Sequence, residues 1–191
     1  MYRVLKTLGC SLAFRRWGAM LAVIALLSAC GKSERTPRPP VAIGADDVCY
    51  LCGMTISQYP GPRGEAYLRN DRRIYKFGST SDLFTWALQP DIRNRITTIY
   101  VQDMGATGWE HPQGHFIDAR RARYVVGSSR YGAMGPTLAS FARQKGATDF
   151  VHRYGGRIIN YKEITLKIVT HLPAGKQDGH GGQGTAQQQS Q

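Results

Sequence analysis

Cys49-Tyr50-Leu51-Cys52-Gly53-Met54 places two thiols three residues apart, with a thioether two residues further on. Thiolate and thioether donors together favour Cu(I) over hard cations. Two other uses of a Cys pair compete with this one. A structural zinc site takes four ligands, usually from two such pairs. No second pair exists in this chain, so His111 and His115 would have to complete the set. A thiol–disulfide exchanger needs the pair to open a helix, whose N-terminus lowers the thiol pKa. Here Thr55-Ile56-Ser57-Gln58-Tyr59-Pro60-Gly61-Pro62 follows, and this run cannot continue as a helix past Tyr59. A plain disulfide stays open as a related reading.

Further donors are scattered along the chain. Met104 stands in Gln102-Asp103-Met104-Gly105 and Met134 in Gly132-Ala133-Met134-Gly135-Pro136, both read as loops. A core methionine fills gaps, but a methionine flanked by Gly in a surface loop is less easily explained that way. His111 and His115 flank Pro112-Gln113-Gly114 and could each offer an imidazole, whereas His152 and His171 read as structural or exposed. No Ser-His-Asp order, carboxylate pair, Walker sequence or haem-attachment motif stands out. Nothing points to turnover, and the expectation is a protein that is not an enzyme.

The elements that hold these residues begin with a targeting segment. Residues 1–16 carry Arg3, Lys6, Arg15 and Arg16 with no acid, and an apolar run follows from Gly18 to Leu27. This is secretory signal anatomy, too short to span a bilayer. It ends in Leu27-Ser28-Ala29-Cys30, which resembles the bacterial lipobox. That resemblance implies cleavage before Cys30, lipidation of its thiol and new amino group, and retention at a membrane surface. Gly31 rather than Asp follows, which favours the outer membrane over the inner one, with the protein facing the periplasm.

Cleavage at Cys30 changes the charge argument. The chain has 191 residues, 25 Lys+Arg against 13 Asp+Glu and a formal charge of +12. The mature part keeps 162 residues and a charge of +8, and only Cys49 and Cys52 remain as free thiols. Its Lys and Arg residues look scattered in sequence, without a basic helix or a nucleic-acid module, so no nucleic acid is expected. At 42% hydrophobic residues the chain can bury a core.

The organisation read from this is a signal peptide at 1–29 and a lipidated, Pro-rich tether at 30–46. A domain follows at 47–172, then a Gly/Gln-rich disordered tail at 173–191 that includes His180. Within the domain, Gly64–Leu68 and Arg72–Phe77 read as strands, Thr80–Leu88 as a helix and Ile96–Val101 as a strand. A second copy is predicted from His115–Asp118, Ala122–Val126, a helix opening near Pro136 with Leu138, Phe141 and Ala142 inward, and Arg157–Tyr161. Two tandem ββαβ units make an α+β fold. Ile164–Leu172 reads as either strand or helix.

The chain resembles the NosL family, copper-chaperone lipoproteins of nitrous oxide reductase maturation in denitrification. The resemblance rests on the Cys-Tyr-Leu-Cys-Gly-Met run with Tyr59–Ala66, then Ser79–Trp86, Ile99–Gly105, Asp118–Arg120, Tyr124–Ser128 and Gly132–Leu138. It implies a periplasmic, membrane-anchored carrier that delivers Cu(I) for the copper–sulfide centre of the reductase. The acceptor would be an ABC-type or periplasmic assembly protein. The implied fold is related to organomercury lyase. The implied ligands fall on Cys52 and Met54, with Met104 and Met134, and less firmly on His111 or His115; Cys49 is the further thiol. The alternative is a thiol–disulfide oxidoreductase or an organomercury-lyase-like enzyme using Cys49 and Cys52. The latter would need an acid near the thiols, and no carboxylate lies within ten residues after Cys52.

Overall fold

The computed structural model describes residues 37–175. The signal segment, Cys30 with its lipidation, the first residues of the tether and the tail from 176, His180 included, lie outside the described residues.

The first unit is built on Gly64–Leu68 (β1), Tyr75–Phe77 (β2), Ile96–Gln102 (β3) and Phe116–Asp118 (β4), all paired antiparallel in the order β2-β1-β3-β4. Between β2 and β3 runs α1, Thr80–Ala87. Ser79 caps α1 by accepting the Asp82 backbone N–H at 3.0 Å, which satisfies one of the free donors of the first turn. The predicted apolar stripe holds: Leu83, Phe84 and Ala87 are buried with Phe77, Ile99 and Val101. A short helix, Pro90–Arg93 (α2), leads into β3.

The second unit departs from the predicted alignment. The sequence pairs His115–Asp118 with Ala122–Val126, but Phe116–Asp118 extends the first sheet beside β3. Arg123–Val126 (β5) instead leads to a small hairpin of Tyr131–Gly132 (β6) and Gly135–Pro136 (β7). The helix expected near Pro136 is therefore absent there, because Gly135, at φ 95°, turns the chain back on itself. Leu138 and Phe141 do point inward, but from Ala139–Phe141 (β8) and its approach rather than from a helix. The helix, Gln144–Tyr154 (α3), opens eight residues later. No side chain caps its start, and Gly146 lies in its first turn, so the sequence carries a weak start signal. Arg157–Asn160 (β9) completes a sheet of order β8-β5-β9.

The two units still share one topology, ββαβ with the first strand central. The ambiguous C-terminal stretch forms a helix, Leu166–Thr170 (α4), capped by Thr165. It packs on α1 and closes the larger core through Val169 and Ile168.

All five residues of β1 are buried, although Glu65 and Tyr67 alternate away from α1. The cause is residues 37–43, part of the stretch read as tether. They cross the outer face of the first sheet as a strap. Arg38 lies 4.3 Å from the Tyr67 ring, Tyr67 Oη donates to Pro39 O and Tyr100 Oη to Arg38 O. Val41 N donates to the Glu65 carboxylate at 2.9 Å and Lys76 Nζ donates to Ala42 O. The compact unit thus begins at Pro37 rather than at residue 47.

Candidate metal centre

The Cys run is a tight loop on the β2 edge. Val48 and Thr55 form an antiparallel bridge across its mouth, and Tyr50 N donates to Lys76 O at 2.8 Å. Inside it, Cys49 N donates to Met54 O and Gly53 N to Cys49 O, each at 2.8 Å. Gly53 adopts φ 73°, the left-handed conformation that lets the chain reverse right after Cys52. A short 3-10 turn, Ile56–Gln58, follows, so the pair does not open an α-helix. The ring of Tyr50 stands edge-on to Tyr75 at 4.8 Å and to Trp86 at 5.8 Å, pinning the loop to the first core.

This geometry brings three groups together. Cys49 Sγ lies 3.5 Å and Cys52 Sγ 3.4 Å from one oxygen, Oδ2 of Asp82. The ligand atoms of Cys49, Cys52 and Asp82 all lie within 4.8 Å of one another. Cys49 is buried, Asp82 nearly so and Cys52 half-exposed, so the cluster has one open side. Backbone dipoles also aim at the sulfurs. Cys52 N–H points to Cys49 Sγ at 3.5 Å. Burial pushes the Cys52 thiol well above its ordinary range, and the Cys49 thiol and the Asp82 charge add to that. The Met54 backbone pulls the other way. Both thiols are free, not joined in a disulfide.

Asp82 is the residue that sequence reasoning missed. It stands thirty residues after Cys52, inside the Ser79–Trp86 block quoted for the family resemblance. The Ser79 cap fixes it in the first turn of α1, where a carboxylate is favoured.

The other predicted donors divide. Met54 lies within the thiol loop, half-buried. Met134 sits at the tip of the β6–β7 hairpin with its side chain exposed. A side chain at Gly78 would meet the Cβ of Cys49 at 3.7 Å and that of Ala133 at 3.9 Å, so one residue separates the thiol loop from this tip. Thr80 locks the approach. Its hydroxyl contacts Thr137 Oγ1 at 2.9 Å and donates to Leu138 O at 2.6 Å.

Met104 packs elsewhere, against the second core of Val125, Ala139, Phe141, Ala147 and Phe150, and its N–H bonds Ser140 O. A gap-filling role accounts for it. His111 and His115 are exposed on a loop held by buried Arg63, which donates to Pro112 O at 2.9 Å. Among the described residues, the cluster of metal-capable Cys, His, Asp and Glu groups contains neither histidine.

Comparison with known proteins matches this arrangement to one family. Residues 40–169 match the family described as NosL. The copper-binding lipoprotein NosL of Stutzerimonas stutzeri is 39% identical over 182 residues, covering 86% of this chain and 95% of that protein. Its counterpart from Achromobacter cycloclastes is 34% identical over 158 residues, covering 81% and 82%. The crystal structure of the copper chaperone NosL from Shewanella denitrificans is similar at a TM-score of 0.68 and 42% identity, covering 69% of this chain and 99% of that one. The chain belongs to the NosL family.

Proposed function

We propose that this protein is a lipid-anchored periplasmic carrier that binds one Cu(I) at the thiol loop and releases it to an acceptor. The observation that carries this reading is the convergence of two thiols on one carboxylate oxygen, at 3.4 and 3.5 Å, on a cluster open to one side. Two sulfurs select a soft ion, and Met54 and the exposed Met134 offer further sulfur of the same softness. Metal binding displaces the thiol protons to solvent, and Asp82 is the charged group nearest both sulfurs. The copper-binding names of the relatives agree with the donor chemistry.

Release is the other half of the task. A closed four-ligand site would hold the ion against transfer, whereas a half-exposed Cys52 lets an incoming ligand replace one bond at a time. Val48, Tyr50, Leu51 and Met134, four of the large apolar side chains that stay exposed, lie on the thiol loop or the adjacent hairpin tip. They give an acceptor an apolar surface to press against while ligands exchange. Delivery to the copper–sulfide centre of nitrous oxide reductase, through an assembly protein of that pathway, is the acceptor route implied by the family resemblance. Anchoring through Cys30, with the outer membrane favoured, completes the reading. No catalytic step is assigned.

Anaerobic Cu(I) titration of residues 31–191 against a chromophoric chelator tests it. A one-to-one endpoint that vanishes in a Cys52→Ser, Met54→Ala variant is expected. Unchanged affinity in that variant would remove the site assignment.

A second reading has one observation in its favour. Asp82, from another segment, lies beside both thiols, where carbon–mercury cleavage would need an acid. Two thiolates would take the mercury, and the carboxyl would pass a thiol proton to carbon, releasing the hydrocarbon. Benzene release from phenylmercuric acetate would support that reading, and a stable protein–phenylmercury adduct would count against it.

A further inference from the structure

Arginines that look scattered in sequence gather at one end of the first sheet. Arg69 N bonds Arg95 O at 2.8 Å, which sets the end of β1 beside the start of β3. Arg72 and Arg73 form the β1–β2 turn at that same end, and Arg93 closes α2 two residues before Arg95. The Arg38 guanidinium donates to the carbonyls of Arg72 and Asp71 at 3.0 and 3.1 Å, so the strap starts there too. Arg69, Arg72, Arg73, Arg93 and Arg95 are all exposed. The acids at this end are Asp71, paired with Arg73 at 2.8 Å, and Asp91 of α2. Arg73 and its neighbours hold the Asp71 carboxyl well below its usual range, so it remains an anion and offsets only one charge.

The strap begins at this end, the end where the described chain leaves toward Cys30. Arg38 is eight residues after Cys30, a span of at most about 29 Å when fully extended. The chain then runs along the outer face of the sheet, over Tyr67 and Glu65, to the thiol loop at the other end. Gly64 and Phe77 pair at that far end, and a Cβ at Gly78 would meet Cys49 at 3.7 Å. Five residues of β1 separate the ends, about 17 Å at the usual rise per residue.

We propose that the arginine end of the first sheet docks on anionic phospholipid headgroups, so that the anchored protein stands with its thiol loop directed away from the bilayer. The proposal rests on lipidation at Cys30 for its setting and on charge complementarity for its contact. Beside a lipid anchor, a basic patch adds its own attraction to anionic headgroups. The same arrangement keeps the open side of the metal cluster accessible to a periplasmic acceptor instead of facing lipid.

The test uses residues 31–191, which contain the whole compact unit from Pro37. That chain is sedimented with vesicles of phosphatidylcholine alone or mixed with phosphatidylglycerol, at low and high salt. Expected is binding to the mixed vesicles at low salt, lost at high salt and absent with phosphatidylcholine. An Arg69→Gln, Arg72→Gln, Arg95→Gln variant should bind at least about tenfold more weakly, while circular dichroism and the Cu(I) endpoint stay unchanged.

Equal binding to both vesicle types, or a variant that binds like the parent, would overturn the proposal. The acylated chain with phosphatidylcholine vesicles reads the anchor separately. If it stays bound there while residues 31–191 ignore the anionic vesicles, the anchor stands and the docking falls. In mixed vesicles the acylated chain should also resist tryptic cleavage after Arg69 and Arg72; cleavage as fast as in phosphatidylcholine would contradict the orientation.

Discussion

The two ββαβ units follow one path and do different work. In both, a Phe ends the second strand three residues before the helix begins: Phe77 before Thr80, and Phe141 before Gln144. In the first unit that junction reads Gly78-Ser79, and it holds a capping hydroxyl, Asp82 and the thiol loop. In the second it reads Ala142-Arg143, has no side-chain cap, and leads into a ring cluster of Phe141, Phe150, Tyr154 and Trp109. The first unit carries the candidate chemistry, and the second supplies a hydrophobic base and the Met134 hairpin. What separates them is local: a thiol loop on the β2 edge, and a carboxylate in the first helical turn.

The sharpest way to break this comparison is to make the same deletion in each unit. Phe77→Ala and Phe141→Ala should each cost about 3–5 kcal/mol of stability, because both rings are almost fully buried. Only Phe77→Ala should also weaken Cu(I) binding, since its ring shares a core with Cys49 and lies 6.2 Å from Tyr50. Denaturant melts beside chelator competition would show the split; an equal loss of affinity in both variants would mean the site depends on global folding alone.

Asp82→Asn sharpens the same contrast at the site. Loss of the carboxylate beside both thiols should lower affinity about 10–100-fold. A rise in affinity would instead make Asp82 a repelling neighbour of the thiolates, since its charge helps to raise the Cys52 thiol pKa.

Proton linkage gives the next effect. The Cys52 thiol is raised, so it stays protonated in the metal-free chain across neutral pH, and the metal must displace that proton. Apparent Cu(I) affinity should therefore rise with pH, about tenfold per unit for each proton displaced. A flat competition profile between mildly acidic and mildly basic buffer would contradict thiol ligation.

The strap, which the second unit lacks, gives the smallest effects. Glu65→Ala strands the Val41 N–H and should cost about 1–3 kcal/mol. Glu65→Gln keeps an acceptor and removes a buried charge. Burial raises the Glu65 carboxyl pKa, so its contribution is complete below the unfolded value and is lost as pH rises through the folded one. The Gln variant should thus show a small gain in Tm at neutral pH that disappears in acid, and an equal shift at both would refute this reading.

Much of the first unit was legible. Period-two strands, a 3.6-residue apolar stripe and Ser at the cap agree with one another over Gly64–Val101, and the sulfur-rich loop stands out by residue type alone. The second unit was harder. Its helix starts without a cap and contains Gly146, while Pro136 imitates a first helical turn inside a hairpin. Asp82 was hidden because the thiols and their carboxylate come from segments thirty residues apart, joined only when α1 packs on the β2 edge. The strap was hidden for the opposite reason. Pro37-Arg38-Pro39-Pro40 has the composition of a free linker, yet it is held by hydroxyls and a carboxylate that point outward from β1 and β3. Charge misled in the same way, since arginines far apart in sequence meet at the sheet end.

The proposed carrier role requires copper to bind on the first unit's thiol loop and not on the His111–His115 loop or at Met104. X-ray absorption of the Cu(I)-loaded chain, taken alongside a Cys49→Ser, Cys52→Ser variant, tests it most directly. Sulfur should dominate the copper coordination of the parent, and the variant should lose bound copper. A shell of imidazole nitrogen, or a sulfur shell that survives the variant, would contradict it.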